Sequence, residues 1–137
     1  MSTTVELPFG AQLIGQTENA LSAIIESLLA ETGVRRDQWI ALRVASSTSA
    51  QQQITRLAST FQEHPDSAGA RLDELIAAGL LQRDGELTQA GRDLINNTVP
   101  RTDAVAKRLW GDLPAGDLDI AGRVLRTVLT RASAGAG

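Results

Sequence analysis

Apolar residues recur at intervals of three and four along most of this chain, which is the spacing of one face of an α-helix. The longest stripe predicts a first helix that begins near Pro8 and is stopped by Gly33, a residue type common at helix ends. A second helix is predicted over 36–45, with Trp39 on its buried face. Four more helices are predicted: 50–60 with Ile54 and Leu57 inward, 66–78, one that opens at Thr88 and is disturbed but not necessarily ended by Pro100, and a last one around 118–129.

Between the fourth and fifth helices lies a short segment with the pattern of a β-hairpin. Residues 80–83 and 86–87 are predicted as two short strands, and Asp84-Gly85 is the dipeptide preferred in two-residue hairpin loops. The order helix, strand, turn, strand, helix is typical of a winged helix-turn-helix, a module that usually binds duplex DNA. The pattern therefore predicts a mainly α fold with a short β-hairpin wing.

Composition narrows the functional classes. The 137 residues suit one domain, and they include no cysteine and a single histidine, His64. Disulfides and thiolate metal sites are excluded, and one histidine is a poor means of holding a transition metal. The sequence has neither a glycine-rich phosphate loop nor a positioned catalytic triad, so we expect no enzyme activity, no cofactor and no metal. No apolar run is long enough for a membrane span and no secretory signal is recognisable, so we expect a cytoplasmic protein.

Charge is unevenly distributed. The net charge is −3, yet residues 35–92 hold seven arginines and seven acids, so the flanking segments carry the whole acidic excess. A neutral central segment attracts phosphate only weakly unless its arginines cluster on one face. The apolar faces of the terminal helices are wide for one small domain, so we expect a second copy of the chain to cover them.

Five stretches resemble the actinobacterial branch of the MarR-type winged-helix regulators. They are 13–21 (LIGQTENAL), 38–43 (QWIALR), 72–83 (LDELIAAGLLQR), 87–92 (LTQAGR) and 109–114 (LWGDLP). The similarity extends over nearly the whole chain, in order and in spacing. It implies one regulator domain over 1–137, in which 1–33 and 98–137 are dimerisation helices and 35–97 is the winged helix-turn-helix lobe.

The resemblance also implies a function. Members of the MarR-type family act as homodimers. Their N- and C-terminal helices interlock, and their two lobes bind successive major grooves of a pseudo-palindromic operator. Many release DNA when a small, often aromatic acid binds between the dimer region and the lobe. We therefore expect a bacterial transcription regulator, acting as a ligand-responsive repressor.

Two departures from that family leave an alternative open. The wing is very short, and its tip is acidic at Asp84 and Glu86. The predicted recognition helix opens with the small or acidic residues 66–70, and only Arg71 offers a strong group for guanine or phosphate. The alternative is a winged-helix interaction protein that has lost sequence-specific DNA binding and binds a protein partner or a small molecule.

The candidate DNA-binding residues are Gln53, Arg56, Ser67, Gly69, Arg71 and Arg83. Ser67 and Gly69 would allow close approach, whereas the arginines would supply the phosphate attraction. For Gln53 and Arg56 an exposed polar helix face is an equal explanation, and Arg71 could instead pair locally with Asp66 or Glu74.

Three other residues have alternatives of their own. His64 is interpreted as a surface turn residue and Trp39 as a core residue, while Trp110 is open to a core role or to an aromatic-ligand cleft.

Overall fold

The computed structural model describes residues 6–135. This part of the chain forms six α-helices and one short 3₁₀ helix: α1 (Ala11–Leu29), α2 (Arg36–Ser46), the 3₁₀ helix (Ala50–Gln52), α3 (Gln53–Phe61), α4 (Pro65–Ala77), α5 (Gln89–Trp110) and α6 (Ala115–Ala134). The predicted mainly α fold is confirmed. Helix α1 is shorter than predicted and ends four residues before Gly33, whose φ of 75° lies in the left-handed region.

Helices α4 and α5 begin at residues whose side chains cap the first turn. His64 accepts a hydrogen bond at Nδ1 from the backbone N–H of Asp66 (3.1 Å), and Pro65 occupies the first position of α4. The Thr88 hydroxyl accepts from the N–H of Gly91 (3.0 Å) and so caps α5, as predicted. Pro100 lies inside α5 without ending it.

A compact core holds α2, α3 and α4 together. Its buried members are Ala41, Leu42, Ala45, Leu57, Ala68, Leu75, Leu80 and Leu81. Trp39 is also buried, with 6% of its surface exposed, which confirms its predicted core role. Ile54, predicted to face inward, is instead 42% exposed. Gln53, one turn before Leu57, takes the inward position instead, while Leu57 is buried as predicted.

The wing is smaller than the two-stranded hairpin that the sequence predicted. Within residues 6–135 the only β pairing outside helices is one antiparallel bridge between Leu81 and Leu87. The loop holds three residues rather than two, because the N–H of Gln82 donates to the Glu86 carbonyl (2.7 Å) and the N–H of Gly85 donates to the Gln82 carbonyl (3.0 Å). Gly85 has a φ of 91°, in the left-handed region that the last residue of a three-residue hairpin loop adopts. The two-residue Asp84-Gly85 loop was therefore a wrong prediction.

The terminal helices leave much apolar surface uncovered. Helix α6 buries none of its residues, and it reaches the lobe through a hydrogen bond from Gln62 Nε2 to the Ser133 hydroxyl (3.2 Å). The large apolar side chains that stay exposed on α6 are Ile120, Val124, Leu125, Val128 and Leu129. None of the helices in the described part of the chain is both long and apolar enough to cross a membrane.

Candidate nucleic-acid interface

Helices α3 and α4 form the helix-turn-helix. The turn between them passes through Gln62, a non-glycine residue in the left-handed conformation (φ 53°, ψ 52°). It brings Ser67 to the exposed first turn of α4. Gly69 follows on the same helix, and a Cβ atom added there would meet nothing within 4 Å. Both residues are placed where a groove could approach the backbone closely.

Arg71 is held by two carboxylates and a ring. Its Nε and Nη2 atoms donate to the two carboxylate oxygens of Glu63 (2.8 and 3.0 Å), and Nη1 donates to Asp37 (3.1 Å). The guanidinium carbon lies 3.6 Å from the centre of the Phe61 ring, a cation–π contact. The hydrogen bond to Glu63 raises the pKa of Arg71 above its ordinary value. These partners replace the predicted ones, Asp66 and Glu74.

The same cluster extends across the lobe surface. Asp37 also binds Arg35, which in turn pairs with Glu74. The hydrogen bond from Arg35 lowers the pKa of Asp37 below its ordinary value. Arg36 pairs with Glu18 of α1. Three of the seven arginines between residues 35 and 92 are thus already matched by acids.

The remaining exposed surface of α4 is acidic. Its exposed positions after Pro65 are Asp66, Ser67, Ala70, Asp73, Glu74 and Ala77. They include three carboxylates and no basic side chain. Arg71 borders this face, but its side chain is only 27% exposed and is occupied by Glu63. In this state the helix offers phosphate no unpaired cation.

Gln53 is a structural residue rather than a phosphate ligand. It is 2% exposed, and its Nε2 donates to the carbonyl oxygens of Ala45 (3.1 Å) and Gly85 (3.0 Å). A Cβ atom at Gly85 would lie 2.8 Å from the Cβ of Ala50, so the loop tip packs on the start of the 3₁₀ helix that precedes α3. Our expectation of Gln53 as a DNA contact on an exposed face is corrected by this burial.

We expect Gln53→Ala to lower the free energy of unfolding by about 1–3 kcal/mol, because two carbonyl oxygens would lose a buried donor. Urea denaturation measures the loss. Gln52→Ala, a neighbouring exposed position, should stay within about 0.5 kcal/mol of the parent. Equal stability of the two variants would contradict the structural role.

Two of the predicted arginine contacts to phosphate remain available. Arg56 on α3 and Arg83 in the loop are exposed, and in the described residues no carboxylate lies within salt-bridge distance of either. Sequence reasoning assigned no role to Arg92, whose Nη1 donates to the Leu87 carbonyl (2.9 Å). This arginine lines a polar cleft of about 450 Å³ with the loop before α3 and the turn tip. Its place in the 87–92 stretch, directly after the wing, was the available signal.

Two apolar cavities flank α1. One, of about 440 Å³, lies between α1 and α6 and is lined by Phe9, Leu13, Ile14, Leu21, Ala121, Val124 and Leu125, with Thr17 and Glu18. The other, of about 470 Å³, lies between α1 and the end of α5 and includes Trp110. Trp110 is 42% exposed, so in the single chain it is a cavity-lining residue rather than a core residue.

The fold is shared with solved MarR-family structures. A MarR-family transcriptional regulator from Rhodococcus sp. RHA1 superposes with a TM-score of 0.67 at 21% identity, covering 85% of this chain and 91% of that one. A Mycobacterium tuberculosis MarR family protein in complex with salicylic acid gives 0.63 at 23% identity, covering 89% and 98%. CouR from Rhodococcus jostii RHA1, bound to p-coumaroyl-CoA, gives 0.64 at 20% identity, covering 91% and 92%.

No protein-family model and no curated protein sequence matches the chain. At these identities the structural likeness establishes the MarR-type winged-helix fold. The arrangement of charges on this lobe, by contrast, is read from the chain's own residues.

Proposed function

We propose that this protein is a transcription regulator that acts as a homodimer and binds duplex DNA through its two lobes, as a ligand-responsive repressor. The observation that carries the proposal is a helix-turn-helix lobe attached to terminal helices whose apolar faces are exposed within residues 6–135. The likeness to MarR-family structures supports the same reading.

A second copy is the natural cover for these faces. Apolar surface gains roughly 25 cal/mol for each Å² removed from water, and a twofold interface buries the same patch on both subunits. Exposed apolar side chains also lie at the end of α5 and just after it, at Leu109, Trp110 and Leu113. Two lobes fixed to one such interface would stand at a defined separation, which must match about one duplex turn, ~34 Å.

Arg56 and Arg83 are the proposed phosphate contacts, with Ser67 and Gly69 at the point of closest approach. Arginine contacts to phosphate position a protein on DNA, whereas base edges give sequence preference. The paired state of Arg71 and the acidic face of α4 reduce the attraction, so we propose that binding is weaker and less sequence-dependent than the fold suggests. A cytoplasmic location accompanies the proposal.

The effector would be a small aromatic molecule. Two of the similar structures hold salicylic acid and p-coumaroyl-CoA. In this chain the Trp110 cavity has a suitable size, and its polar lining residues are Gln16 and Thr17, with no charged group. We propose an effector whose aromatic part contacts Trp110 and whose acidic group, if it has one, points to solvent. By changing the separation of the lobes, it would release the DNA.

A gel-shift series on the gene's own upstream region tests DNA binding. The logarithm of the binding constant should fall with the logarithm of salt. Arg56→Ala and Arg83→Ala should each reduce the slope by about 1.8, because each substitution removes one phosphate contact, worth about 0.9, from both lobes of the dimer. Arg108→Ala, at the dimer end of α5, serves as the control and should leave the slope unchanged. Adding salicylate to the bound complex tests release. Slopes identical in all variants would remove Arg56 and Arg83 from the interface.

The acidic face of α4 favours a second candidate. Asp66, Asp73 and Glu74 repel a polyanion but would suit a basic surface on another protein. In this alternative the dimer keeps the fold and binds a protein partner or a small molecule instead of an operator. A dimer that shifts no upstream fragment even at low salt would decide for this alternative.

A further inference from the structure

The carboxylates around Arg71 accept hydrogen bonds from its guanidinium in the same geometry that a phosphate would use. Each of its three nitrogens donates to a carboxylate oxygen, two to Glu63 and one to Asp37. The fork formed by Nε and Nη2 matches the paired oxygens of a carboxylate or a phosphate equally well. Phosphate and Glu63 must therefore compete for the same edge of the same side chain.

We propose that Glu63 and Asp37 form an autoinhibitory clamp that withholds Arg71 from DNA, and that opening this clamp raises the lobe's affinity for phosphate. The inference rests on the proposed DNA-binding function and adds a regulatory contact to it. When the clamp is closed, α4 shows DNA only carboxylates and small side chains. When it is open, Arg71 becomes the one base at the edge of that face.

The geometry makes the exchange feasible. The side chains of Arg71 and Glu63 are 27% and 17% exposed, so the pair is at the surface and solvent can reach it. A bidentate pair is stronger than an ordinary surface ion pair, but a phosphate offers Nε and Nη2 the same paired oxygens and can take the place of the carboxylate. Phe61 lies beneath the guanidinium and can support it in either state, because the cation–π contact does not use the hydrogen-bonding edge.

Position along α4 points the same way. Arg71 follows Ser67 by four residues, so the two lie on one side of the helix, one turn apart. Ser67 is exposed in the first turn. A guanidinium released from Glu63 therefore has an open path along the edge of the helix, towards the turn that the fold presents to a groove.

A purely structural role makes a different prediction. Glu63 precedes α4, Asp37 lies in α2 and Arg71 lies in α4, so the cluster also links three elements of the lobe. If it only fastens these elements, removing a carboxylate lowers stability and leaves DNA affinity unchanged. If it is a clamp, the same change raises DNA affinity.

The test compares full-length Glu63→Gln and Asp73→Asn on a 30-base-pair duplex of random sequence, which suits a contact to phosphate. Both changes remove one negative charge, but Asp73 is exposed and makes no salt bridge with any described residue. We expect Glu63→Gln to bind about tenfold more tightly, with a salt slope steeper by about 1.8, because each of the two lobes gains one phosphate contact worth about 0.9. Asp73→Asn should gain about twofold, with little change in slope. In an Arg71→Ala background the excess gain of Glu63→Gln should vanish.

The outcomes separate the two proposals. If the parent binds but Glu63→Gln gains no more than Asp73→Asn, the clamp is refuted and DNA binding stands. If only Glu63→Gln binds, the clamp is supported and the parent is a closed form. If neither binds at low salt, both ideas fail. Circular dichroism checks folding, and Asp37→Asn, which frees one nitrogen of Arg71, carries the test if Glu63→Gln does not fold.

Discussion

Replacing Leu129 by glutamate should convert the protein from a dimer to a monomer at micromolar concentration. Leu129 is 59% exposed in the single chain and lies on the apolar face of α6. Burying a leucine is worth about 1.5–3 kcal/mol, and twofold symmetry counts each substitution twice. The change should therefore cost the dimer at least about 3–6 kcal/mol, or two to four orders of magnitude in its dissociation constant. Burying two carboxylates would add to this cost.

Thr127→Glu is the matched control. Thr127 lies on the opposite, arginine-bearing face of α6, between Arg123 and Arg131 at intervals of four residues. A glutamate there adds the same charge in a favourable place, so the dimer should persist. Sedimentation velocity gives the association state of both variants, and circular dichroism reports whether the lobe remains folded. A Leu129→Glu protein that sediments as the parent does would show that α6 is not the interface.

DNA binding should follow the association state. A monomer presents one lobe, whose phosphate contacts are few and whose α4 face is acidic. Loss of the partner lobe removes the gain from linked binding, which can reach ~10²–10⁴. We therefore expect Leu129→Glu to lose the gel shift while Thr127→Glu keeps it.

The helices were predictable because periodicity and caps act locally. The three- and four-residue spacing placed α2, α4 and α5 to within a few residues, and Thr88 was identified as a cap from its chemistry alone. Trp39 was assigned to the core from its place in the same repeat. These features need only neighbours within one or two helical turns.

The details of the lobe surface depend on contacts between distant residues. Ile54 fits the apolar repeat of α3 as well as any residue, yet it is exposed, and Gln53 enters the core one turn before Leu57. What makes a buried glutamine acceptable is the pair of carbonyl oxygens from Ala45 and Gly85. No local sequence pattern predicts these two hydrogen bonds.

The charges of the interface show the same limit. The count of seven arginines and seven acids was correct, but the pairing decides which charges a polyanion meets. Arg71 is matched by Asp37, 34 residues away in sequence, and by Glu63 across the turn. The sequence therefore identified the residue and could not show that its binding edge is occupied.

A close backbone approach makes Gly91 the most tightly packed glycine of the lobe, and Gly91→Ala should destabilise the protein strongly. A Cβ atom at Gly91 would lie 2.2 Å from the carbonyl oxygen of Leu80, which also accepts a hydrogen bond from Thr88. The neighbour is backbone, so relief requires α5 to move away from the segment of the Leu81–Leu87 bridge. We expect a loss of about 2–3 kcal/mol, even after the gain of about 1 kcal/mol in helix propensity.

Gly69→Ala is the control that isolates this clash. Gly69 also lies inside a helix, but nothing is within 4 Å of its added Cβ, so alanine there should stabilise the protein by about 0.5–1 kcal/mol. Urea denaturation of both variants at one protein concentration gives the difference, since unfolding of a dimer depends on concentration. Opposite signs support the tight contact between α5 and the Leu80 backbone. If both variants are stabilised, there is room for a side chain between α5 and the Leu80 backbone, and the tight contact is contradicted.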